Sequence, residues 1–156
     1  MAIFNNVVEH PSHYINHPSG IECIELTERM GFCIGNAWKY LHRAGLKYKS
    51  SIIGSFLCKI GLSSLGRKVD TYAAEKGRKE DLKKALWYIK REAKAPFYLT
   101  YRMPLICNKQ TDDNFLLKLN SYSVYYNVGQ AELSKYLFDG EQEHLHCAAT
   151  EILKAI

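Results

Sequence analysis

Gly35-Asn36-Ala37-Trp38-Lys39-Tyr40-Leu41-His42-Arg43-Ala44-Gly45 is the stretch that decides the fold of this chain. Wound as a helix, it continues from Ile34 with Ala37, Leu41 and Ala44 on one apolar face. Asn36, Lys39, Tyr40, Arg43 and Lys47 fall on an adjoining stripe at i, i+3/i+4, i+7 and i+11 spacing. Residues 33–46 are therefore predicted helical. An amide, an ammonium, a phenol and a guanidinium then border a buried surface, a set of donors suited to a phosphorylated ligand.

The same layout returns downstream. Leu82, Ala85, Leu86, Ile89 and Ala93 make the apolar face of a helix predicted over residues 78–95 and stopped by Pro96, with Asp81, Lys84 and Tyr88 flanking that face. A first helix is predicted over 21–30, ended by Gly31, and residues 1–20, with Pro11 and Pro18, read as an extended arm. Between the two striped helices, residues 50–77 hold two apolar patches punctuated by Gly54, Gly61, Gly66 and Gly77. Beyond Pro96, residues 97–106 read as a short extended segment. Thr111 is placed to cap a helix carrying Phe115, Leu119, Tyr122 and Tyr126, and helices over 130–137 and 140–154 complete the chain. The expected fold is mainly α. It is a helical bundle with an extended N-terminal arm and a Gly/Ser-containing apolar insertion, in which the two striped helices pack together and turn their polar edges to one cleft.

Four ordered motifs carry a family resemblance: His10-Pro11-Ser12-His13-Tyr14, Ile21-Glu22-Cys23-Ile24-Glu25, the stretch from Gly35 to Lys47, and Glu80-Asp81-Leu82-Lys83-Lys84-Ala85-Leu86-Trp87-Tyr88. Over about residues 7–93 the chain resembles a family of small tailed-phage proteins typified by a phage nucleotide kinase acting on deoxynucleoside monophosphates. In that family the two striped helices are joined by a much shorter connection. The resemblance therefore implies an insertion at about 48–77 in a core of residues 1–95, with residues 96–156 as a C-terminal helical extension packed on it. It also implies a nucleotide ligand and a phage protein working in the cytoplasm of an infected bacterium.

The expected site draws on three segments. Asn36, Lys39, Tyr40 and Arg43 come from one helix, Lys84 and Tyr88 from another, and Ser12 and Tyr14 from the arm, all as nucleotide or phosphate contacts. His13 and Asp81 are the catalytic candidates, His13 because an imidazole beside a phosphate favours its protonated, donating form. Tyr40 with Tyr88, or Trp38 with Trp87, offer flat faces for a base. Glu22 and Glu25 with Glu80 and Asp81 suggest a magnesium site only loosely, since Glu25 also pairs with Arg29 at i+4 and acidic residues favour helix starts, so no metal is assigned. Gly61-Leu62-Ser63-Ser64-Leu65-Gly66-Arg67-Lys68 imitates P-loop spacing, but Arg67 stands at the lysine position and Lys68 replaces the hydroxyl residue. A kinase here would work without a Walker fold. Two other readings use the same residues differently: a non-catalytic sponge that sequesters a nucleotide signal of host defence, and a helical protein-interaction module.

Bulk properties fit a single soluble core. The chain has 156 residues, 47% of them apolar, and a formal charge of +5 that points to anionic partners. Its cations are scattered through the sequence without a basic tail, so nucleic acid is not the expected partner. Five cysteines without paired spacing argue against a disulfide framework and for a reducing cytoplasm. No signal peptide is read at the start. The apolar run of residues 52–65 is too short and too polar to span a bilayer and is expected to support a homo-oligomer instead.

Overall fold

Glu22 opens the described helices with a reciprocal cap. Its side chain takes the backbone N–H of Glu25, while the Glu25 carboxylate takes the Glu22 N–H at 3.0 Å. In the computed structural model, which describes residues 17–46, 51–94 and 113–156, this cap starts α1 (Cys23–Thr27). The helix is half the predicted length. Glu22, in extended backbone, fixes its start, and the Thr27 hydroxyl bonds back to the Cys23 carbonyl at 3.0 Å in its last turn. Gly31 does not end α1 but caps α2 (Phe32–Arg43), and Gly35 lets the two helices meet, since a Cβ there would stand 3.3 Å from the Thr27 carbonyl oxygen. α2 stops three residues before its predicted end, and Gly45 turns the chain at φ +90°.

The largest departure from expectation lies next. Residues 50–77, read from the sequence as a Gly/Ser-containing apolar insertion without assigned helices, form α3 (Ile52–Lys59) and the first half of α4 (Ser63–Ala93). With 31 residues, α4 is about 46 Å long and runs without a break through Gly66 and Gly77 into the helix predicted over 78–95. The glycines serve different purposes. Gly61, at φ +86°, makes the turn between the helices, whereas Gly54 and Gly66 sit where they cross. A Cβ on Gly66 would lie 2.6 Å from the Cys58 Sγ and 2.7 Å from the Gly54 carbonyl oxygen. Ser51 caps α3 by accepting the Gly54 N–H at 2.8 Å, and Asp70 on α4 accepts the Ser51 N–H at 2.6 Å. α3 thus lies along the first half of α4 as a helical hairpin.

The remaining elements are α5 (Asp113–Tyr122), a 3-10 turn (Ser123–Tyr125), α6 (Gln130–Asp139) and α7 (Gln142–Lys154). α6 and α7 follow the predicted boundaries closely, and Gly129 and Gly140, both at positive φ, flank α6. Trp38 and Leu41 of α2, Leu82 and Ile89 of α4, Phe115 and Leu119 of α5, Leu133 of α6, and Leu145 and Ile152 of α7 join one buried cluster. The C-terminal helices therefore share a core with α2 and α4, as an all-α bundle. Among the described residues there is no strand, and no helix is long and apolar enough to cross a membrane. The arm up to Tyr14, the segment 97–106 and the Thr111 cap lie outside the described residues.

Candidate functional site

α2 and α4 pack side by side, which brings the two polar stripes to one edge. Tyr40 and Arg43 meet Asp81, Lys84 and Tyr88 across the two helices, while Lys39 and Asn36 join the group from within α2. Arg43 donates to both carboxylate oxygens of Asp81, from Nε to Oδ2 at 3.2 Å and from Nη2 to Oδ1 at 2.9 Å. Asp81 is fully buried and Arg43 nearly so. The fork therefore sits in a dry setting, where planar guanidinium geometry counts most. Lys84 approaches the same carboxylate at 3.9 Å from the exposed side.

Tyr40 lies at the centre of the cations. The Arg43 guanidinium is 4.7 Å from its ring centroid, the Lys39 ammonium 5.3 Å and the Lys84 ammonium 5.8 Å. Tyr40 stacks on Tyr88 at 5.9 Å, and Phe32 meets Tyr88 edge-on at 6.0 Å. Lys39 is held by the Asn36 amide oxygen at 3.0 Å, while the Asn36 NH2 donates to the Phe32 carbonyl at 2.7 Å. Three cations against one carboxylate leave the cluster at +2. Arg43 and Asp81 are engaged with each other, so the accessible positive charge belongs to Lys39 and Lys84. Cys23 borders this group, and burial pushes its thiol up to about 12, which keeps it protonated and unreactive.

Sequence reasoning missed a second polar centre behind the first. The Tyr122 hydroxyl shares hydrogen bonds with His42 Nδ1 at 3.0 Å and His17 Nε2 at 3.2 Å, and Gln130 Nε2 donates to it at 3.5 Å. The His17 ring stacks on His42 at 4.2 Å and on Tyr122 at 4.8 Å. Burial lowers the His17 pKa and raises that of Tyr122. This centre pins the residues before α1 to α2, α5 and α6. Its only local signal was the placement of Tyr122 on a buried face, because its partners lie 80 and 105 residues away.

The other candidates are resolved unevenly. Ser12, His13 and Tyr14 fall outside the described residues, as does Lys47. Trp38 is fully buried in the core and offers no face to a base, whereas Trp87 is exposed. Glu25 pairs with Lys118 of α5 instead of Arg29, and no group of three or more His, Cys, Asp or Glu side chains suited to a metal occurs among the described residues. Cys58 is exposed. His144 bridges Glu132 at 2.8 Å and Asp139 at 2.9 Å, which raises its pKa and ties α7 to α6. The P-loop lookalike spans the α3–α4 turn and the start of α4, and the element directly before it is a helix, α3. An open apolar groove of about 640 Å³, lined by Leu116, Leu119, Tyr126, Ser134, Lys135 and Phe138, lies between α5 and α6 and includes none of the predicted residues.

A family model described as a protein of unknown function, DUF3310, matches residues 8–51. The match takes in the His10 to Tyr14 motif, α1 and α2, and leaves α4 outside. No curated protein and no solved structure matches the chain.

Proposed function

We propose that this chain binds a phosphorylated nucleotide at the α2–α4 edge, with the Lys39 and Lys84 ammonium groups donating hydrogen bonds to its phosphate and the Tyr40–Tyr88 stack as the flat surface beside them. The observation that carries the reading is the convergence on Tyr40, whose ring lies beside the buried Arg43–Asp81 fork and under two accessible ammonium groups, Lys39 and Lys84. The resemblance to phage deoxynucleoside monophosphate kinases supports a nucleotide as ligand and an infected bacterial cytoplasm as its place of action. As a kinase, the protein would align two nucleotides and offset charge on the transferring phosphoryl group, with His13 of the arm as proton donor and magnesium as an open requirement. One observation favours sequestration without turnover: Asp81, the catalytic carboxylate of the kinase reading, is buried and spent on Arg43.

Calorimetric titration with deoxynucleoside monophosphates tests the site. Replacing both Lys39 and Lys84 with Ala is expected to weaken binding at least tenfold, since each charge-assisted hydrogen bond contributes about 1.5–3 kcal/mol, with helix content unchanged. Wild-type affinity in this double variant removes the assignment. Turnover with a second phosphate donor selects the kinase, and release of an unchanged nucleotide on denaturation selects the sponge.

The same reading takes the protein as a homo-oligomer. Ile52, Ile53, Phe56 and Ile60 leave one face of α3 apolar and exposed, with Ile52 at 91%. Light scattering is expected to give a mass above one chain that falls when Ile52 and Phe56 are changed to Ser. A wild-type protein that stays monomeric at high concentration rejects this interface.

A further inference from the structure

The cations scattered through the second half of α4 are gathered by its winding. At 100° per residue, Lys76, Lys83, Trp87, Lys90 and Lys94 fall along one exposed stripe, with Lys84 and Arg91 beside it. Glu80 is the only carboxylate on that face. Six cations against one acid leave it at +5, equal to the formal charge of the whole chain, so charges elsewhere cancel. The stripe is about 27 Å long from Lys76 to Lys94. At its middle stands Trp87, 54% exposed, with the Arg91 guanidinium 5.3 Å from its ring and Tyr88 edge-on at 4.8 Å.

A lone exposed aromatic ring is ordinary on a surface, but here the Trp87 indole stands among six cations and a single carboxylate, with a guanidinium over its ring. We propose that this face of α4 binds single-stranded nucleic acid, with the lysines tracking the phosphates and one base stacking on Trp87. The pairing of a basic track with an exposed aromatic ring suits single strands, whose unstacked bases offer a π-face that a duplex keeps inside. An acidic peptide would satisfy the cations but would leave the indole unused. The surface meets the Arg43–Asp81 cluster at Lys84 and at the Trp87–Tyr88 edge contact, and the variants below leave Lys39, Tyr40, Arg43, Asp81, Lys84 and Tyr88 in place, so either proposal can fail without the other.

The test is fluorescence anisotropy of an end-labelled, mixed-sequence DNA strand of about 16 nucleotides, the upper range of single-strand site sizes. Binding is expected at low salt, weakening as salt rises with a log–log slope of about −0.7 per phosphate contact. Lys83→Glu with Lys90→Glu should lower affinity at least tenfold, and Trp87→Ala about tenfold, both with unchanged circular dichroism because all three side chains face solvent. Absence of binding to the wild-type protein overturns the proposal. So does tighter binding of the duplex, equal binding of polyglutamate, or a Trp87→Ala protein that binds as the wild type does.

Discussion

Arg43→Ala is expected to destabilise the fold by about 3–5 kcal/mol, because it leaves the fully buried Asp81 carboxylate without its guanidinium. The cost is not the worth of the pair. A buried ion pair gives back in Coulomb energy much of what it loses in desolvation, and the penalty appears when one partner alone is removed. Asp81→Ala should therefore be comparably damaging, and Arg43→Met with Asp81→Leu should recover most of the loss by filling the same space with apolar groups. Lys84, 3.9 Å from Asp81, can move toward the orphaned carboxylate, so Arg43→Ala should be milder than Arg43→Ala with Lys84→Ala. Urea denaturation of the four variants beside the wild type reads this directly. An Arg43→Ala midpoint equal to wild type would show that the pair is not buried, and a binding defect in that variant would then need another cause than loss of the fold.

Tyr122→Ala should cost about 3–5 kcal/mol and Tyr122→Phe about 1–3 kcal/mol. The first empties a fully buried aromatic site against Trp38, while the second removes only the oxygen that His17, His42 and Gln130 share. The same centre gives an acid sensitivity. The folded-state pKa of His17 is lowered by burial from 6.5, so its contribution is fully present above that value and is lost as pH falls through the folded value. His144 has the opposite sign. Its folded pKa is raised by Glu132 and Asp139, so its stabilisation is present below 6.5 and fades as pH rises through the folded value. In a His144→Gln background, stability should fall from neutral pH toward acid, and His17→Phe, which keeps a ring but no proton site, should flatten that fall. An unchanged slope would separate His17 from the effect.

Local patterns were legible and long-range pairings were not. The apolar and polar stripes of α2 and of the second half of α4 were readable because a helix face repeats within a few residues. The shared edge followed from two such faces needing one core. Arg43 and Asp81 were readable as members of that edge but not as each other's partners: 38 residues separate them, and a sequence cannot distinguish a guanidinium waiting for a phosphate from one already paired. Gly54 and Gly66 were misread for a similar reason. By themselves glycines weaken a helix, and only the opposing backbone reveals that the missing Cβ is the point of contact. His17, His42 and Tyr122 come from three distant segments, and no periodicity joins them.

α4 also makes the molecule uneven in cohesion. Its second half is clamped by α2 and α7 in the main core, while its first half is held mainly by α3, whose only buried residue is Gly54. One continuous helix thus passes from a region that opens only with the whole fold to one that opens by detaching a single short neighbour. Protection from amide hydrogen exchange should step down along it toward Ser63, with the hairpin acting as a separate cooperative unit whose loosening leaves the Arg43–Asp81 end closed.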